Sequence, residues 1–110
     1  MTAERTALEV EVSGLLERLG VAVSAYSDGE LEVRSPLSGQ VIARVTKVSP
    51  AAAEETIAAA REAFLAWRTV PAPRRGELVR LLGEELRVEI ETLGRLVTIE
   101  SGKLLSEGFG

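Results

Sequence analysis

The chain has 110 residues, a net charge of −4, and neither cysteine nor histidine. That length confines it to one small domain, which buries roughly two-thirds of the surface its unfolded form exposes. The negative charge argues against nucleic acid, whose phosphates need a concentrated basic face, and without thiolate or imidazole there is no disulfide framework and no thiolate or histidine metal site.

Aromatic residues make up only 4% of the sequence. Tyr26, Phe64, Trp67 and Phe109 are its large rings, so an independent core would be thin. No stretch approaches the ~18 uninterrupted apolar residues of a membrane-spanning helix. Met1-Thr2-Ala3-Glu4-Arg5 lacks the basic start and apolar run of a leader. The expected location is the cytoplasm, with no membrane and no nucleic acid as partner.

Taken in chain order, the first twenty residues predict an amphipathic helix, since Leu8, Val12, Leu15, Leu16 and Leu19 recur at helical spacing. Thr6 and Glu9 form a candidate capping box, and Gly20 a C-terminal stop. Asp28-Gly29 is a turn signal. Leu31-Glu32-Val33-Arg34 alternates as a half-buried strand does, and Val41 to Thr46 is a second β-rich run. Between them, Ser35-Pro36-Leu37-Ser38-Gly39-Gln40 carries turn chemistry, which predicts a hairpin.

From Ser49 the chain reads as helical, with Ser49 a cap and Pro50 suited to the first helical position. Ala53, Ile57, Ala60, Phe64 and Trp67 form one stripe and predict a buried face. Val70-Pro71-Ala72-Pro73 ends that helix. A second helix places Leu78, Leu81, Leu82, Leu86 and Ile90 inward, and the pattern bends or restarts near Glu91–Leu93 into a third, stopped at Gly102.

The candidates for chemistry are few. Lys103 follows Gly102, yet Val97 and Leu104 break the phosphate-loop pattern, so Gly102 reads as a helix cap and Lys103 as a charge favouring the helix end. Glu84, Glu85, Glu89 and Glu91 lie among Arg80, Arg87 and Arg95 at helical spacing, which describes a solvated face with i,i+4 pairs. Glu100 ends an apolar stripe and reads as a structural hydrogen-bonding group. Ser35, Ser38 and Ser49 are turn or cap residues, because a nucleophilic serine needs a base. Trp67 reads as core, and Phe109 is left unassigned. No catalytic, cofactor-binding or metal-binding residue is assigned.

The order of these pieces is informative. A hairpin with Ser35-Pro36 and Gly39 precedes Ala59-Ala60-Arg61-Glu62-Ala63-Phe64 and Trp67. Pro73-Arg74-Arg75, an amphipathic helix and Glu100-Ser101-Gly102-Lys103 follow. Over Leu31 to Gly110 the chain resembles the N-terminal portion of the aldehyde dehydrogenase superfamily. Val70 to Arg80 and Gly102 to Gly110 are most similar to its α-aminoadipic semialdehyde (piperideine-6-carboxylate) dehydrogenase branch, which works in lysine catabolism.

The resemblance implies an α/β fold. Residues 1–30 would be an N-terminal helix and connector, and residues 31–110 a hairpin plus helices, part of the family's cofactor-side domain with its sheet incomplete. It also implies NAD-dependent oxidation of an aldehyde to an acid, through a nucleophilic Cys, a general-base Glu and an oxyanion-binding Asn. No position in this sequence takes over those roles, and no NAD binding is expected of it alone. The chain is therefore expected to be an inactive segment whose partners are the remainder of that fold or further copies of itself. The family commonly forms dimers and tetramers. The competing expectation is a stand-alone helical interaction or oligomerisation module, and a small enzyme in its own right is the third.

Overall fold

The computed structural model describes residues 5–110. Met1 to Glu4, most of the stretch read against a leader, lie outside the described residues. The elements in order are α1 (Ala7–Arg18), α2 (Ser24–Ser27), β1 (Leu31–Arg34), β2 (Val41–Val45), α3 (Pro50–Trp67), α4 (Ala72–Val88), α5 (Ile90–Ser101) and α6 (Leu105–Gly108). The helix, the two-stranded hairpin and three further amphipathic helices are the α/β arrangement expected, with an incomplete sheet. The short α2 and α6 were not anticipated. By contacts the chain divides into two units. One joins the chain up to Lys47 with Glu89–Gly110, the other is Val48–Val88, and each is described by itself.

In the first unit, α1 starts where Thr6 Oγ1 accepts from the Glu9 backbone N–H at 3.2 Å. The capping box is only half made, because the Glu9 carboxylate pairs with Arg5 at 3.5 Å. Gly20 takes the left-handed conformation, φ 76°, that ends the helix. β1 and β2 pair antiparallel, Leu31 opposite Val45 and Val33 opposite Ala43, with a register shift between Val33 and Arg34. That shift lets Ile42 turn inward. The loop is closed by Gly39 N–H donating to Ser35 O at 2.7 Å and by Ser35 N–H donating to Gln40 O at 3.0 Å. Gly39 has φ 74°, which the turn requires.

Val12 of α1, Ile42 of β2 and Ile99 of α5 form the core, with Leu8, Leu15, Leu16, Val33 and Leu96 packed around it. Ile99 is 0% exposed. Its carbonyl accepts from the Ser35 hydroxyl at 2.5 Å across 64 residues of sequence. Ser35 is itself 1% exposed and its Oγ also accepts from the Leu37 N–H at 3.2 Å. The serine read as a turn residue is thus also a buried tie between the hairpin and α5. Gly102, φ 76°, caps α5 through its N–H to Thr98 O at 2.9 Å, as expected. A Cβ on Gly102 would stand 3.2 Å from Pro36 Cγ, so loop and helix end are closely apposed.

A second tie is ionic. Arg95 donates from Nε to Glu11 Oε1 at 2.7 Å and from Nη2 to Glu11 Oε2 at 3.3 Å, bridging α5 to α1. This corrects the reading of Arg95 as one of a row of i,i+4 partners within its own helix. The hydrogen bond from Arg95 holds the Glu11 carboxyl below the ordinary 4.5, while partial burial opposes that shift. On the far side of α5, the Phe109 ring and the Gly108 backbone close so tightly on Gly94 that a Cβ at either glycine would collide. The Glu107 carboxylate accepts from the Leu104 N–H at 2.9 Å and holds the first turn of α6.

In the second unit, Ser49 Oγ accepts from the Ala52 N–H at 3.1 Å and Pro50 opens α3, as read from the sequence. The turn to α4 is fastened by Arg75 Nε donating to Val70 O at 3.0 Å. Two expectations are corrected here. Neither α3 nor α4 has a buried residue, and Phe64 (50% exposed), Trp67 (41%) and Leu82 (58%) lie open. Ile57, Leu78, Leu81 and Leu86 are exposed too. Periodicity names the face that gains from burial, and nothing within this unit covers it. Ile90, assigned to the inward face of α4, instead opens α5, because the backbone leaves helical geometry at Glu89 (φ −100°, ψ 14°).

Two outcomes follow from the first unit. Ser35→Ala leaves the Ile99 carbonyl and the Leu37 N–H without their partner and costs about 1–3 kcal/mol; urea unfolding of the variant reads it, and an unchanged midpoint would refute the tie. For Glu11 and Arg95, a double-mutant cycle with Glu11→Gln and Arg95→Gln gives a coupling of about 0.5–1 kcal/mol, the modest size reflecting solvent screening. Because the Glu11 pKa is lowered on folding, that coupling is present above the carboxylate's unfolded value. It is lost as pH falls through the lower folded value.

Candidate functional site

The residues singled out in the sequence do not converge. Lys103 is exposed just past α5, its backbone N–H 3.4 Å from the Ser101 hydroxyl, in line with the cap reading rather than a phosphate cradle. Glu100 is exposed on α5, and its side chain makes no hydrogen bond among the described residues. The structural bond expected of it is therefore absent there. The acids of α4 behave as a wet face: Arg80 pairs with Glu77 at 2.7 Å and also with Glu84. The hydrogen bond from Arg80 lowers the Glu77 pKa and raises that of Arg80. Glu85 and Glu91 are exposed, and Glu89 is half-buried before α5.

On the hairpin surface, Glu32 receives Arg34 at 2.6 Å and Arg44 at 2.9 Å, which together lower its pKa, Arg34 first. Arg44 faces Glu32 across the hairpin, a cross-strand pair of opposite charges, and Arg34 joins it from the same strand. Ser38 Oγ accepts from the Gln40 N–H at 3.3 Å and Ser49 caps α3, so both are structural as read. Trp67 was read as core and is not. With Val70, Pro71, Arg74 and Leu78 it borders an open groove at the α3–α4 turn. The guanidinium of Arg68, the residue that follows α3, lies 5.8 Å from the Phe64 ring centroid.

The first unit holds two further depressions. One is an apolar groove of about 280 Å³ lined by Val12, Leu16, Val33, Ile42 and Leu96, with Glu100 at its edge. The other lies around Tyr26, whose hydroxyl is 3.3 Å from Ser13 Oγ. Among the described residues, no three Cys, His, Asp or Glu side chains gather where they could hold a metal ion. No described helix is long and apolar enough to cross a membrane.

A dinucleotide rests on a glycine-rich turn between a strand and a helix of a parallel βαβ unit, with its pyrophosphate at the helix N-terminus. Here the two strands pair antiparallel through a loop closed on itself. The described residues do not fit that requirement.

Sequence reasoning missed the groups that organise the first unit. Ser35 and the Glu11–Arg95 pair act over 64 and 84 residues, where local pattern carries no signal. Gly29, Gly94 and Gly108 are positions of close backbone approach. Only Gly29, beside Asp28, stood out beforehand, and there as a turn.

Comparison with known proteins identifies what these elements belong to. The model described as "Aldehyde dehydrogenase family" matches residues 23–110. The pea protein named "Aldehyde dehydrogenase family 7 member A1" is 40% identical over 107 residues, 88% of this chain and 21% of its own length. Bovine "Alpha-aminoadipic semialdehyde dehydrogenase" is 52% identical over 75 residues, 68% of this chain and 14% of its own. A Caenorhabditis elegans protein named as a putative family 7 member A1 homolog is 42% identical over 106 residues, 88% of this chain and 20% of its own. The chain thus spans between 14% and 21% of the length of these relatives, in their N-terminal segment. With the family model matched over most of its length, and with the helix–hairpin–helix order expected of that segment, the chain belongs to the aldehyde dehydrogenase family.

Proposed function

We propose that these residues serve as the N-terminal portion of an NAD-dependent aldehyde dehydrogenase that oxidises α-aminoadipic semialdehyde to its acid in lysine catabolism. The observation that carries this reading is the identity of 52% and 49% to the bovine and rat proteins bearing that substrate's name. In it, the chain supplies scaffold. The nucleophile, the base and the cofactor site come from the larger remainder that the relatives possess.

The open apolar faces of α3 and α4 support the reading. In proteins most helical stability comes from packing an amphipathic face against a partner rather than from propensity. Phe64, Trp67, Leu78 and Leu82 carry such a face and leave it open. The partner we assign to it is the remainder of the aldehyde dehydrogenase fold, and, where that is missing, a second copy of the chain.

The direct experiment is a chimera in which this chain replaces the matched segment of the bovine enzyme. NADH formation from the semialdehyde is expected from the chimera and not from the 110-residue chain alone. A soluble, folded chimera without activity would overturn the assignment, and turnover by the short chain would overturn its scaffold role. The assigned partner gives a second expectation. In the short chain, light scattering shows oligomers that Leu82→Glu shifts toward monomer, since a buried unpaired carboxylate costs several kcal/mol. A wild-type monomer indistinguishable from the variant would contradict it.

A further inference from the structure

We draw no further inference here: the strongest candidate, the apolar groove between α1, the hairpin and α5 with Glu100 at its edge, carries nothing because nothing in the structure shows what covers it.

Discussion

The first unit depends on how α5 is seated against the hairpin. Ile99 is fully buried, a gain of about 1.5–3 kcal/mol for a side chain of that size. The helical position that buries the side chain also brings the Ile99 carbonyl to the Ser35 hydroxyl. A buried hydroxyl without a partner would cost much of that gain. Apolar burial and polar satisfaction are therefore met together by the same placement of α5. The close apposition of Pro36 and Gly102 and the pair between Arg95 and Glu11 then fix the helix end and its neighbour α1.

The second unit obeys the same physics with the opposite result. Its helices are well started, by Ser49 and Pro50 in α3 and by the Arg75 bond to Val70 O before α4. Capping and ion pairs such as Arg80 with Glu77 and Glu84 define where a helix begins and which face meets water. They do not replace apolar burial, because exposed pairs contribute little. In the proposed function this open apolar surface is the one that meets the partner. The proposed role as scaffold within a longer enzyme rests on that difference between the two units.

Local signals were legible in the sequence because they act locally. Thr6, Gly20, Ser49-Pro50 and Gly102 bound helices through hydrogen bonds to residues within four positions. The alternation at Leu31 to Arg34 and the turn residues at Ser35 to Gln40 set the hairpin in the same way. What could not be read depends on distance or on partners. Turn composition describes Ser35 as a loop residue whether the loop is wet or buried. Arg95 has acids at helical spacing, and nothing nearby shows that Glu11 outcompetes them. The stripe through Phe64 and Trp67 states a demand for burial, which only the surrounding fold can meet. No chemical role was assigned from the motifs because the patterns that carry such roles are incomplete in this sequence, as Val97 and Leu104 show around Gly102-Lys103.

The first unit is closed around Ile99, whereas the apolar faces of α3 and α4 lie open within the second. Native-state hydrogen exchange, resolved by segment, tests that contrast most directly. Slow exchange is expected for amides of β2, α1 and α5, and fast exchange along Pro50–Trp67 and Ala72–Val88. Equal protection of all five elements in a monomeric sample would contradict it, because α3 and α4 would then have a partner within the chain itself.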